Sequence, residues 1–185
     1  MSDSAAVAPE PPPTSPEQLL AYLAGLGLEV ATHAHPPVFT VEESRALRGD
    51  LPGAHCKNLF LKDKKGRFWL LVAREDTRVE LNRLPAILGT ARLSFAGADA
   101  LWAKLGVRPG SVTPFALIND RPPQVGVVLE QRLLEEPLLN FHPLSNDKTT
   151  ALTPEALSRF IASCGHQPRI LALHAGRTED PESKI

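Results

Sequence analysis

Cysteine is almost missing from this chain. Cys56 and Cys164 are the only two in 185 residues, too few for a disulfide framework and without metal-motif spacing, so a reduced, cytoplasmic setting is the expectation. Charge of one sign is missing too. The formal net charge is -1, so no global basic field announces a nucleic-acid partner, and any RNA contact has to come from a local patch. No apolar run approaches the ~20 residues that a membrane helix needs. The N-terminus carries Asp3 and Glu10 and lacks the basic and apolar regions of a signal peptide. What is present is ordinary for a globular protein, with 43% hydrophobic and 22% charged residues. The length suits one domain with a proper core.

Residues 1–16 are mostly Ser, Ala and Pro, with Pro11-Pro12-Pro13 in the middle. Such a segment cannot bury enough apolar surface to fold and is expected to be a disordered arm. Residues 174–185 are expected to be a loose tail, which leaves 17–173 as the folded domain. Ser15-Pro16-Glu17-Gln18 has the form of a capping box opening a first helix, striped by Leu19, Leu20, Leu23 and Leu26. Alternation predicts a strand over 29–35, stopped by Pro36-Pro37. Thr40-Val41-Glu42-Glu43 predicts a second, short helix. Residues 56–61 and 67–73 read as a hairpin around Asp63-Lys64-Lys65-Gly66. Further on, helices are expected at 83–88, 98–105 and from Thr153 to Gly165. Strands are expected at 91–95, 115–118, 124–130, 138–141, 149–152 and 170–173. With strands arriving in hairpins more than in βαβ units, the fold class is α/β of the α+β type: a single domain with a mixed, mostly antiparallel sheet flanked by helices.

Three stretches carry the chemistry. Lys57 opens a strand whose period of two puts it on one face with Leu59 and Leu61, and puts Cys56, Asn58 and Phe60 on the other. A lysine beside two leucines needs a partner if buried. A strand-end lysine reaching for water is the plainer reading of the spacing; a ligand for phosphate or carboxylate is the functional one. The second stretch is Gly110-Ser111-Val112-Thr113-Pro114. Gly110 permits close backbone approach, Pro109 and Pro114 stiffen the loop, and the N–H groups of Ser111, Val112 and Thr113 are placed to face a carbonyl oxygen or an anion. An ordinary Pro-Gly turn explains the same letters. His142 ends the apolar run Leu138-Leu139-Asn140-Phe141 and can bind a ligand oxygen or hold a water, or can equally be satisfied by loop carbonyls. No nucleophile accompanies the set, which suits hydrolysis of a phosphate-bearing ester by water better than a covalent mechanism.

Other candidates are weaker. His33 and His35 share a strand face but lack a third metal ligand in a known spacing. Cys56 turns away from Lys57 and reads as structural. Lys62, Lys64, Lys65 and Arg67 make a basic turn that is either solvated or in touch with an RNA backbone.

Lys57-Asn58-Leu59-Phe60-Leu61-Lys62-Asp63, the Gly-x-x-x-Pro loop from Gly110 to Pro114, and Asn140-Phe141-His142-Pro143-Leu144 followed by Asn146-Asp147 resemble the YbaK-like aminoacyl-tRNA deacylases. That family includes the editing domain of bacterial prolyl-tRNA synthetases and its freestanding relatives, and the resemblance is closest to the freestanding alanyl-tRNA(Pro) deacylases. It implies a curved, mostly antiparallel sheet and hydrolysis of the ester joining a wrong amino acid to the tRNA 3′ end. It implies Lys57, His142 and Gly110 as catalytic residues, with Asn58, Ser111, Val112, Thr113 and Pro114 binding substrate. Val38, Phe39 and Leu59 are expected to form the pocket wall. No metal and no cofactor are implied. The expected partner is the acceptor end of mischarged tRNA(Pro), with prolyl-tRNA synthetase or an elongation factor as further candidates and no membrane. Open alternatives are a deacylase for Cys, Ser or 2-aminobutyrate on tRNA, and a non-catalytic tRNA- or synthetase-binding module of the same fold.

Overall fold

Ser15 starts the first helix, α1 (Pro16–Gly25), as its letters predict. Its hydroxyl accepts from the Gln18 N–H, and the Gln18 side chain accepts from the Ser15 N–H in return, satisfying two orphan donors at once. The computed structural model describes residues 13–37, 43, 46 and 51–173. The short helix expected from Thr40 lies outside the described residues apart from Glu43 and Ala46, which are helical. Strand β1 (Ala31–Ala34) follows α1.

The hairpin is β2 (Ala54–Asp63) and β3 (Phe68–Arg74). Its turn is held by the buried Asp63, whose Oδ1 accepts from the N–H groups of Lys65 and Arg67 at 2.9 and 3.0 Å. Gly66 takes the positive φ of 83° that closes the turn. Then come α2 (Leu84–Leu88), β4 (Leu93–Phe95) and α3 (Ala98–Leu105). The last elements are β5 (Gly126–Glu130), β6 (Leu139–Phe141), β7 (Lys148–Leu152), α4 (Pro154–Ser163) and β8 (Arg169–Leu171).

One expectation fails. Residues 115–118 do not form a strand beside 124–130; Pro114–Asn119 is a 3-10 helix, capped by the Thr113 hydroxyl. Pro114, Phe115, Ala116 and Leu117 are all buried in succession, and a short unbroken apolar run carries no period to separate a strand from a buried helical turn. Strand β5 pairs instead with β3, in parallel, and with β8, also in parallel.

The sheet therefore has eight strands in the order β1-β7-β6-β2-β3-β5-β8, with β4 also beside β2. It is mixed, as expected, and its antiparallel pairs outnumber the parallel ones only narrowly. Its larger core lies on one face, where Phe60, Leu70, Val72, Leu129 and Phe141 meet Leu19 and Leu23 of α1, Leu101 of α3, Phe115, and Leu157 and Phe160 of α4. A smaller core on the other face joins Leu61, Leu71, Ala73 and Val128 to Leu84 and Leu88 of α2. No helix among the described residues is long and apolar enough to cross a membrane.

Candidate active site

Lys57 stands where β2 changes partners. Its neighbours Ala54 and His55 pair with Leu139 and Asn140 of β6, and residues 61–63 pair with β4 along the same edge. Between those contacts, along Cys56 to Phe60, only β3 pairs with β2 among the described residues. The sheet is forked at Lys57, Asn58 and Leu59. The β2–β3 register runs without a break from Cys56↔Arg74 to Lys62↔Phe68, so no bulge turns Lys57 and Asn58 to the same side. The fork supplies another route: where a strand edge lacks a neighbour, side chains from both faces can border one opening.

The register also decides what shares the Lys57 face. His55 pairs with Asn140, Asn140 with Ala151, and Ala151 with Ala31. Directly paired residues project to the same side, so His55, Lys57, Asn140, Thr149, Ala151 and His33 line one face, opposite the larger core. His142 belongs there too. It follows Asn140 by two residues, and its ring lies 6.0 Å from that of His35. The Nε2 of His35 is 2.9 Å from the Thr149 hydroxyl.

Lys57 is half-buried and held by a backbone acceptor. Its Nζ donates to the carbonyl of Thr77, one of three donors an ammonium carries. Thr77 is itself buried. Its hydroxyl is 2.7 and 2.8 Å from the two carboxylate oxygens of Glu130, which is fully buried. Glu130 also accepts from the Arg74 N–H at 2.8 Å. A buried carboxylate without such donors would be costly; with them, it fixes the Thr77 loop that carries the lysine. Sequence reasoning missed both Thr77 and Glu130. The available signal was a carboxylate closing the apolar run Val127-Val128-Leu129. It also gave no role to Asn140, whose side-chain amide donates to the Pro52 carbonyl at 3.0 Å and lines the wall against Gly53.

His142 is held by its own loop. Nδ1 lies 2.8 Å from the Lys148 carbonyl. A carbonyl only accepts, so Nδ1 carries the hydrogen and Nε2 is the lone-pair nitrogen of the neutral ring. Leu144 turns the chain with φ at 67°, rare for a side chain of this type, and packs on the larger core. The Ser145 hydroxyl donates to Asp147 Oδ1 at 2.6 Å, and that bond, with nearby Lys148, holds the Asp147 carboxyl below the usual carboxylate range.

The Gly110 loop is partly committed to its own turn. Ser111 N–H donates to the Arg108 carbonyl at 3.0 Å, with Gly110 at φ 90°, so Ser111 does not supply the free donor expected of it. Among the described residues, the N–H groups of Val112 and Thr113 make no backbone hydrogen bond. Thr113 and Pro114 are buried and start the 3-10 helix, which makes their side chains anchors of the loop. A Cβ on Gly110 would meet nothing within 4 Å; the residue is demanded by φ and leaves the loop's outer side open. Val112 packs on the larger core, as does the Asn58 side of β2, where Asn58 Oδ1 is buried without a partner. Leu59 packs on the smaller core beside Lys57. Register and contacts thus bring Lys57, Leu59 and His142 to one face, and Asn58 and Val112 to the other. Val38 and Phe39 lie outside the described residues.

Cys56 is not a nucleophile in waiting. Burial pushes its thiol up to about 12, so the reactive thiolate is scarce at neutral pH. His35 is committed to Thr149 and the Pro36 carbonyl. Among the described residues no three His, Cys, Asp or Glu side chains gather as a metal site.

Comparison with known proteins converges on one family. Residues 35–160 match the aminoacyl-tRNA editing domain. The chain is 41% identical over 160 residues to prolyl-tRNA synthetase associated domain-containing protein 1 of Xenopus laevis, covering 84% of this chain and 95% of that one. It is 32% identical over 158 residues to the prolyl-tRNA editing protein ProX of Acetoanaerobium sticklandii, covering 85% and 96%. A solved structure described as a proposed trans-editing enzyme for prolyl tRNA synthetase superposes with a TM-score of 0.65 at 19% identity, covering 88% of this chain and 99% of that one. At that identity the likeness speaks for the fold. With the editing-domain family matched over residues 35–160 and relatives of 41% and 32% identity spanning most of both chains, the chain belongs to the aminoacyl-tRNA editing domain family.

Proposed function

We propose that this protein is a trans-editing hydrolase acting on mischarged tRNA(Pro) in the cytoplasm, with Ala-tRNA(Pro) as its substrate. The observation that carries the reading is the forked sheet, where a held ammonium and an imidazole share one face. An aminoacyl ester is already activated, so no covalent intermediate is required. Lys57, tethered by one donor to Thr77, keeps two for the phosphate next to the terminal adenosine, a charge-assisted contact. The loop after Gly110, bordering the fork from the larger-core side, polarises the ester carbonyl, each well-placed donor contributing ~3 kcal/mol to the transition state. His142, with Nε2 as acceptor, orients the attacking water or the ribose. The free ribose hydroxyl assists, because positioning dominates over proton abstraction by a neutral imidazole.

Selectivity follows from size. Each missing methylene changes binding by only ~1–3 kcal/mol, so a synthetase cannot fully reject alanine by affinity alone. A narrow second pocket admits alanine and refuses the pyrrolidine ring. Leu59, on the Lys57 face, contributes to its wall. Single-turnover deacylation of tRNA(Pro) charged with Ala, Ser, Cys, 2-aminobutyrate or Pro tests this. Alanine is expected to be cleaved fastest and proline to survive. Equal cleavage of the prolyl ester would remove the size-exclusion reading. Stable binding without hydrolysis of any ester would make the protein a tRNA-binding module.

A further inference from the structure

We infer that the outer surface of α3, from the base of the β2–β3 turn to Arg121, is a second RNA-docking surface. It grips the phosphate backbone of the substrate away from its esterified end. This rests on the deacylase reading for the identity of the RNA, but on separate residues.

The chain as a whole has a formal net charge of -1, yet this surface gathers cations. Each is seated on an aromatic ring. Arg108 lies 4.3 Å from the centroid of Trp102, and Arg121 lies 5.5 Å from that of Tyr22. Lys62 and Lys104 approach the same ring, Phe68, each at 5.7 Å. Cation–π seating restrains these side chains at low cost in hydration, so less freedom is lost when a phosphate binds. The local carboxylates do not cancel them. Asp63 is buried and bonded within the β2–β3 turn. Asp120 is buried and accepts from the N–H groups of Gln124 and Val125. Among the described residues, the exposed acids here are Asp99, on the first turn of α3, and Glu17, beside Gln18 on α1.

Two of these cations, Lys104 and Arg121, line a cleft of about 950 Å³, which Asp120 also borders. Tyr22, Trp102, Lys104 and Arg121 line it beside the polar Gln18 and Gln124. Lys57, Gly110 and His142 are not among its lining, so it is distinct from the proposed catalytic face. Arg108 links the two, being two residues before Gly110. The width and polar lining suit a hydrated, charged polymer. An apolar peptide would find the rings already covered by cations. The basic turn singled out in the sequence enters through Lys62, whereas Arg67 is paired with Asp63.

The test is Lys62→Ala with Lys104→Ala, two residues outside the proposed catalytic set. With full-length Ala-tRNA(Pro), KM should rise about tenfold at unchanged kcat, and the log–log salt slope should fall by about two, one per lost phosphate contact. Hydrolysis of a short alanylated 3′-end fragment should be unchanged. Equal behaviour of variant and wild type on the full-length substrate would overturn the proposal, as would an equal loss on the fragment. If the wild type hydrolyses neither substrate, the deacylase reading fails, and uncharged tRNA(Pro) binding decides the surface alone. Salt-dependent affinity weakened in the variant then supports it, and unaltered affinity overturns it.

Discussion

On one face of β2, Phe60 points into an apolar core that runs from Leu19 in α1 to Phe160 in α4. On the other face, one residue out of step, the same strand presents Lys57, tethered through Thr77 to a fully buried carboxylate. The first face is held by area removed from water, which is non-directional and tolerant of small shifts. The second is held by a few directional bonds, each of which leaves a costly orphan if broken. A period of two lets one strand serve both ends without compromise. Stability and chemistry should therefore respond to different substitutions.

The sharpest way to break that comparison is Phe115→Ala. Phe115 is fully buried and meets Phe141 and Phe160 edge to face at 6.0 and 5.4 Å. Truncation should cost ~3–5 kcal/mol in a urea denaturation experiment, while deacylation per folded molecule stays near wild type. A loss of turnover beyond the folded fraction would mean that the two faces are not independent. The converse is Lys57→Ala. Removing a charged hydrogen-bonding partner of a phosphate should lower single-turnover deacylation by about 100-fold, with an unchanged circular dichroism spectrum. Near wild-type rates would take Lys57 out of the mechanism.

A smaller effect tests the tether. Thr77→Val keeps the shape but removes the hydroxyl that meets Glu130, whereas Thr77→Ser retains it. Turnover should fall about tenfold in the valine variant and recover in the serine variant, a difference of roughly 1–1.5 kcal/mol, as for one lost hydrogen bond. Equal activity of the two would make the Glu130–Thr77 pair a matter of stability only.

The same contrast explains what was legible in the sequence. Helix starts were readable because caps are local: Ser15, Thr153 and the Gly106 stop behave as their letters imply. The alternation in β2 correctly separated Lys57 from Asn58, since period two needs no tertiary knowledge. The parallel pairing of β5 with β3 was not readable, because Leu129 and Val72 are neighbours only through long-range topology. Nor was the 3-10 turn at Phe115, where burial on all sides erased any period. In the site, residue types were visible but partners were not. Lys57 announces a need for a counterpart, while Thr77 and Glu130, 20 and 73 positions away in sequence, are supplied only by the fold. The Ser111 N–H looked free for the same reason, since its acceptor is fixed by the turn that Gly110 adopts.

The mildest expected effect concerns neither core nor site but the loop that closes α4. His166 is buried, with Nε2 3.3 Å from Asp120 Oδ2 yet without a hydrogen-bond partner. Burial lowers its pKa from the ordinary 6.5, against the pull of the Asp120 carboxylate, with Arg121 pushing the same way as burial. The folded state therefore binds this proton less readily than the unfolded chain. Where the unfolded state holds more protons, stability rises with pH. The contribution is intact above pH 6.5 and is lost as pH falls from there through the lower folded value. The unfolding temperature should accordingly drop between pH 7 and 5.5 in the wild type and drop less in His166→Gln, with deacylation at pH 7 unaltered. An identical pH slope in the two proteins would show that Asp120 compensates the buried ring fully, and that this corner, unlike the Glu130 network, carries no directional debt.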